Sequence, residues 1–168
     1  QRANSVFAFS LTVIFVLLGA VAIITPFFSS SDPKTEVHVK EIAVWTYDYG
    51  GSISEFAFVT MDLEADLTSL FDWNTKQLYV SIVAEYGSDN MNQIVLWDDI
   101  IRSKRDAQVV LHQIKNKYMF NDITPSFREV NATYALHWDA MPYVGLLQSG
   151  RSDSIRHVKF PKPENFAA

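Results

Sequence analysis

Residues Val6 to Phe28, VFAFSLTVIFVLLGAVAIITPFF, form an unbroken run of 23 uncharged residues, and this run decides the solvent in which the rest of the chain must fold. As an α-helix it would measure about 34 Å, enough to cross a hydrocarbon core about 30 Å thick with some tilt. The main rival is a cleavable signal peptide, for which Ser29 and Ser31 would supply small residues at a cleavage site. The apolar core of a signal peptide is about 7–15 residues long, however, well short of this run. A helix buried in a soluble domain would show a polar stripe, and Ser10, Thr12 and Thr25 are too few and too scattered to make one. Their hydroxyls are expected to bond back to the carbonyl one turn earlier. Pro26 falls near the end of the run, where a kink or a stop costs little. The run therefore reads as a retained membrane anchor.

Charge gives the anchor a direction. Arg2 precedes it with no acid beside it, whereas Asp32, Lys34 and Glu36 follow it. The positive-inside rule places the short N-terminus in the cytoplasm. Asn131-Ala132-Thr133 agrees, because it is an N-glycosylation acceptor in the large C-terminal portion, which would then lie in the lumen of the endoplasmic reticulum or outside the cell.

Composition narrows the class. The chain is 48% hydrophobic and 14% aromatic, enough to build a core. Its formal net charge is −5 and no basic cluster matches a nucleic-acid backbone, so no nucleic-acid partner is expected. Cysteine is absent, which excludes disulfides, thiolate nucleophiles and cysteine-type zinc sites.

Behind the anchor the dominant pattern is alternation. From Phe56 to Leu67 one face carries Ala57, Val59, Met61, Leu63, Ala65 and Leu67, while Thr60, Asp62, Glu64 and Asp66 share the other face with Phe56 and Phe58. From Gln77 to Tyr86 the buried face is Leu78, Val80, Ile82, Ala84 and Tyr86, with Ser81 and Glu85 opposite. Between Asn131 and Asp139, Ala132, Tyr134, Leu136 and Trp138 alternate with Thr133 and His137. Glu36–Trp45, Asn92–Ile101, Val109–Tyr118 and Ile155–Phe160 are further β-rich stretches. Turn signals stand at Gly50-Gly51, Gly87–Asn92, Ser103–Asp106, Asn121–Pro125 and Gln148–Asp153. Asp66–Trp73 is expected to be a short helical turn or a corner between sheets. Some seven short strands with turns between them favour an antiparallel β-sandwich, and no helical pattern intervenes to make a parallel sheet.

Candidate chemistry is sparse. His38, His112, His137 and His157 are widely separated, with no H-x-x-x-H or H-E-x-x-H spacing, and no G-x-S-x-G elbow occurs. His137 is expected to be a surface imidazole. Asp62, Glu64 and Asp66 on one strand face could meet a hard cation, but without a glycine-bearing calcium loop a solvated face opposite Lys or Arg is favoured. No cofactor, metal or catalytic group is assigned. The aromatic residues are expected mostly to fill the core, with a minority at a subunit interface. The run Met141–Leu147, MPYVGLL, is a candidate contact or membrane-facing segment, because its proline and glycine disfavour a central strand.

A collinear set of motifs adds a resemblance. Arg2-Ala3-Asn4-Ser5 leads into Phe7-Ala8-Phe9-Ser10-Leu11, and Leu70-Phe71-Asp72-Trp73-Asn74 follows, then Lys76-Gln77-Leu78 and Ala84-Glu85-Tyr86. Asn92-Gln93, Val95-Leu96-Trp97-Asp98 and Lys117-Tyr118 come next, and then Asn131-Ala132-Thr133 and Trp138. In these residues the chain resembles the signal peptidase complex subunit 3 family along nearly its whole length. Met119–Val130 and the tail from Ser152 depart from the pattern. The chain opens on Gln1 rather than Met, so a few preceding residues are expected.

The resemblance implies a mainly β protein, a lumenal antiparallel β-sandwich tethered by one N-terminal transmembrane α-helix. The expected division is a cytoplasmic N-terminus at 1–5, a transmembrane helix at 6–28, a linker at 29–35 and a lumenal domain at 36–168. It also implies a non-catalytic accessory subunit of the endoplasmic reticulum signal peptidase complex. The catalytic signal peptidase subunit, the other subunits of the complex and membrane lipid would be its partners, with the translocon a further candidate. Asn131 stands at the family's glycosylation position. Phe71, Asp72, Trp73, Asn74, Trp97 and Pro142 are expected to be exposed ends of the matched motifs and to touch a partner subunit. The competing functions are a membrane-anchored lumenal hydrolase and a free binding or adhesion glycoprotein.

Overall fold

The structure, a computed structural model, describes residues 2–28, 32–49, 51–86, 92–122, 131–152, 156–161 and 164–165. Helix α1 (Arg2–Phe28) precedes β1 (Lys34–Tyr49), β2 (Ser52–Asp66), β3 (Thr75–Tyr86), β4 (Asn92–Ile101) and β5 (Gln108–Lys115). Then come β6 (Phe120–Asp122), β7 (Asn131–Pro142), β8 (Gln148–Arg151), β9 (Arg156–Lys159) and β10 (Glu164–Asn165).

Helix α1 is long and apolar enough to cross a membrane, and the domain leaves nearly all of it uncovered. It starts at Arg2, so four of the five residues expected to precede the span are already helical. The helix hydroxyls fold back as expected: Ser10 donates to the carbonyl of Val6 at 2.9 Å, Thr12 to Ala8 at 3.0 Å and Thr25 to Val21 at 2.8 Å. The linker is shorter than expected. Lys34 and Thr35 already belong to β1, in register with Asp66 and Ala65, because a strand beginning there pairs along the full length of β2.

The strands form two sheets. One runs β10-β1-β2-β5, with β6 also paired to β2; the other runs β4-β3-β7-β8, with β9 also paired to β7. All these pairings are antiparallel except β1 with β10. The inner faces enclose one core. Val59, Met61 and Leu63 from the first sheet meet Leu78, Ile82, Leu96 and Leu136 from the second, and Phe120 and Phe160 close it with a ring-to-ring distance of 5.5 Å.

Every apolar residue read onto the inner face of β2 is buried, as are those of β3 and β7. The opposite faces differ. Ser81 and Glu85 of β3 and Thr133 of β7 are buried as well, and Glu85 lies under the Arg151 and Gln93 side chains of the neighbouring segments. His137 is half-buried rather than a surface imidazole. Gln148–Arg151 forms an edge strand on β7 instead of a turn. The expected corner after β2 is a single 3-10 turn at Thr68–Leu70. The strand expected to reach Tyr118 stops at Lys115. There the Asn116 side chain accepts a hydrogen bond from Val59 N–H, and Lys117 N–H crosses to the Leu96 carbonyl of the other sheet.

The acidic face of β2 has a structural use. Asp62 stands opposite the bulge of β5 and within reach of the bulged Lys40 of β1. It accepts the N–H of Gln113 at 2.8 Å and pairs with Lys40 at 3.1 Å, which holds both irregularities against the central strand. Residues 29–31 of the linker and the 87–91 turn lie outside the described residues, as do 123–130 of the Met119–Val130 loop and 153–155, 162–163 and 166–168 of the tail beyond Ser152.

Candidate membrane-proximal contact site

The strands stand away from the helix. β1 starts just after α1, and its register with β2 puts Lys34 opposite Asp66, so the 3-10 turn, the start of β3 and the ends of β4 and β7 share the helix-proximal end. The opposite end carries Tyr86, Asn92 and Asn131, about 36 Å away along β3 at roughly 3.3 Å per residue.

Five of the six expected contact residues gather at the helix-proximal end: Phe71, Asp72, Trp73 and Asn74 lie in the turn before β3, and Pro142 faces Thr75 across the ladder. Trp97 does not join them. It pairs with Ile82 in mid-sheet and packs against the core. Nor are all five exposed. Phe71 lies in the core, where it closes the end of the sandwich, and Asn74 is 2% exposed. Trp73 is 66% exposed.

The turn is held by its own polar groups. Asp72 Oδ1 accepts the N–H of Asn74 at 2.7 Å and lies 2.8 Å from Thr75 Oγ1, which in turn accepts the N–H of Asp72 at 3.2 Å. This presents the Asn74 amide to two distant segments. One Nδ2 proton goes to Thr25 Oγ1 of α1 at 2.8 Å and the other to the Val144 carbonyl at 2.7 Å. Oδ1 accepts from Val144 N–H at 3.2 Å, and the Asn74 carbonyl accepts from Tyr143 N–H at 2.8 Å. Both amide protons and the amide oxygen therefore have partners, as buried polar groups require. The loop after β7 lies directly against the helix: Gly145 has φ +115, and a Cβ there would stand 3.3 Å from Ala22 Cα.

Charged pairs lie elsewhere. The carboxyl of Asp98 is held below the usual range by the hydrogen bond from Lys117 at 2.9 Å, with Tyr118 Oη at 3.0 Å adding to it. Asp62 is lowered by the Gln113 N–H and by Lys40. Buried Glu85 accepts from Arg151 at 2.9 Å and Gln93 at 3.2 Å. Burial, and then the Arg151 charge, lowers the pKa of His137. Among the described residues no cluster of three or more His, Asp or Glu could hold a metal. Asn131 is exposed at the far end, opposite Lys159.

A family model described as signal peptidase subunit matches residues 1–163. The chain belongs to the signal peptidase subunit family. Signal peptidase complex subunit 3 of Gallus gallus is 39% identical over 96% of this chain and 92% of its own length. The Homo sapiens protein of the same name is 37% identical over 99% and 94%. Its namesake in Debaryomyces hansenii is 41% identical over 79% of this chain and 70% of its own length. Val144 and Gly145 lie within the Met141–Leu147 run expected to be a contact or membrane-facing segment; the residue that the sequence reading missed is Thr25. Thr25 was legible only as a hydroxyl hidden in its own helix, and no local signal tied it to Asn74.

Proposed function

We propose that this chain is a non-catalytic accessory subunit of the signal peptidase complex of the endoplasmic reticulum. It spans the membrane once with its N-terminus in the cytoplasm and its sandwich in the lumen, and it docks on and positions the catalytic serine protease subunit. Family membership supports the complex. The observation that carries the positioning role is the Asn74–Thr25 hydrogen bond, which couples the sandwich to the helix instead of leaving it on a free tether. A protease seated on such a domain meets its scissile bond at a fixed height above the bilayer, and fixed geometry of that kind lowers the entropic part of a barrier.

Trp73 and Asp72 form the proposed contact, with Phe71 and Asn74 supporting them from beneath and Pro142 and Trp97 as further candidates. The remaining subunits of the complex and the translocon are further proposed neighbours, and Asn131 is the proposed glycosylation site.

The test is isolation in mild detergent of chains carrying Trp73→Ala and Asp72→Asn, which leave the turn intact. Loss of the co-purifying protease subunit and slower signal-peptide cleavage are expected; unchanged assembly and cleavage would overturn the contact. Labelling of this chain by a serine-directed probe would overturn its non-catalytic role. A glycosidase-sensitive mass shift that Asn131→Gln abolishes would support the lumenal orientation.

A further inference from the structure

The loop after β7 carries apolar side chains that the fold leaves bare. Tyr143 is 69% exposed, Leu146 80% and Leu147 53%. Three such residues within five positions on a soluble surface would be an unpartnered patch, but the place of their loop against the helix says what meets them.

Gly145 lies against the backbone of Ala22, six residues before the end of α1. Six residues are about 9 Å of helix, and the apolar run exceeds a 30 Å hydrocarbon core by only about 4 Å, so Ala22 sits at least about 5 Å below the hydrocarbon surface of an upright span. Tilt moves it no shallower. Shifting the bilayer the other way would strand Ile23 and Phe27 in water, and the domain covers neither of them. A loop touching Ala22 must therefore enter the membrane beside the helix.

The part of the loop's backbone that reaches Asn74 is prepared for that medium. Polypeptide outside a helix or barrel is tolerated at membrane depth only when its polar groups are satisfied by protein. Asn74 satisfies three of them, the N–H and carbonyl of Val144 and the N–H of Tyr143, from a buried position. Glycine at 145 allows the close approach and the left-handed φ together. Tyrosine at the edge of the loop suits the interfacial layer, with its ring in the apolar part and its hydroxyl toward water.

We propose that the Tyr143–Leu147 loop is a membrane foot: Leu146 and Leu147 insert among lipid acyl chains and Tyr143 sits at the headgroup level, so that the sandwich stands on the bilayer at two points, helix and foot. The occupant is lipid. The inference needs only that α1 spans the membrane; it does not depend on which side the sandwich occupies or on the proposed protease contact.

The test uses the full chain in phosphatidylcholine vesicles. Because the sequence has no cysteine, single nitroxide labels can be placed by Leu146→Cys and Leu147→Cys, with Ile23→Cys as the lipid reference and Lys115→Cys, exposed opposite Thr60 about 20 Å up the sheet, as the water reference. Both loop labels are expected to lose accessibility to a water-soluble nickel complex and gain it to oxygen, matching the Ile23 position. Nickel accessibility equal to that at Lys115 would overturn the proposal. So would protection from both reagents once the labelled chain is assembled with its partner subunits, since a protein would then be the occupant. An acyl-chain diazirine lipid applied to the unmodified chain gives a readout free of substitutions: adducts are expected on 143–147 as well as on α1, and adducts on α1 alone would overturn the foot.

Discussion

Asn74 Nδ2 lies 2.8 Å from Thr25 Oγ1, joining residues 49 positions apart in sequence and linking the sandwich to the membrane helix. The same amide holds both polar groups of the Val144 backbone. Asn74→Ala would leave those groups and the Thr25 hydroxyl with one partner fewer each. A buried group left unpaired costs about 1–3 kcal/mol, so Asn74→Ala is expected to be strongly destabilising. Thr25→Val removes two bonds, its own to the Val21 carbonyl and the one from Asn74, and leaves a single buried Asn74 N–H unpaired, an expected cost of about 1–3 kcal/mol. Thermal unfolding of the full chain in detergent should rank them in that order, and equal losses would show that the Val144 bonds contribute nothing.

Gly150 of β8 lies on the indole of Trp138 in β7, so a Cβ there would overlap the ring atoms. Gly150→Ala is expected to lower stability by about 1–3 kcal/mol through overpacking. Adding Trp138→Phe should recover part of that loss, because the two positions compete for one space. A double variant that simply sums the two single losses would contradict this account.

Tyr134 is fully buried, and its hydroxyl has no hydrogen-bond partner among the described residues; burial pushes its pKa well up. Tyr134→Phe removes an uncompensated polar atom without changing the shape of the ring. Denaturant unfolding should show it neutral or more stable by up to about 1 kcal/mol. A clear loss would reveal a partner for the hydroxyl.

Glu85 is buried with Arg151 and Gln93 as its side-chain partners. Because the Arg151 side chain is about one-third exposed, water replaces part of what Arg151→Ala removes. The expected cost is about 1–3 kcal/mol, reduced in an Arg151→Ala/Glu85→Gln double variant, which no longer buries a charge. Comparing the two unfolding curves checks this.

The pKa of His137 is lowered in the fold by burial and by Arg151. Below its unfolded value, near 6.5, the unfolded chain binds a proton that the folded one refuses, so this residue favours the folded state less as pH falls from 6.5 toward its folded pKa and no further beyond it. Asp62, Asp66 and Asp98 act at lower pH: their contributions are present above 3.8 and are lost as pH falls through their depressed values. Unfolding midpoints between pH 4 and 7 should flatten in His137→Asn. An unchanged slope would assign it to other groups.

Some of this was readable from local pattern. Period-two alternation identified β2, β3 and β7 and their core faces, because successive side chains in a strand must point to opposite sides. It failed at Ser81, Glu85 and His137, whose burial depends on what neighbouring strands place beside them, and strand order is not written in any one strand. Gln148–Arg151 read as a turn because Ser and Gly dominate it, yet tertiary pairing with β7 makes it a strand. The proposed contact residues divide in the same way, since motif position did not tell buried Phe71 and Asn74 from exposed Trp73.

By itself the sequence determined the membrane helix, the β-sandwich class and the family, because a long uncharged run, an alternation and a collinear motif set are properties of neighbouring residues. Only the tertiary structure decided that the sandwich is coupled to the helix and that the 143–147 loop packs against Ala22. Both depend on bonds between segments 49 and 70 residues apart. Such pairings arise from the register of strands and the angle at which the domain meets the helix, and no residue carries that information alone.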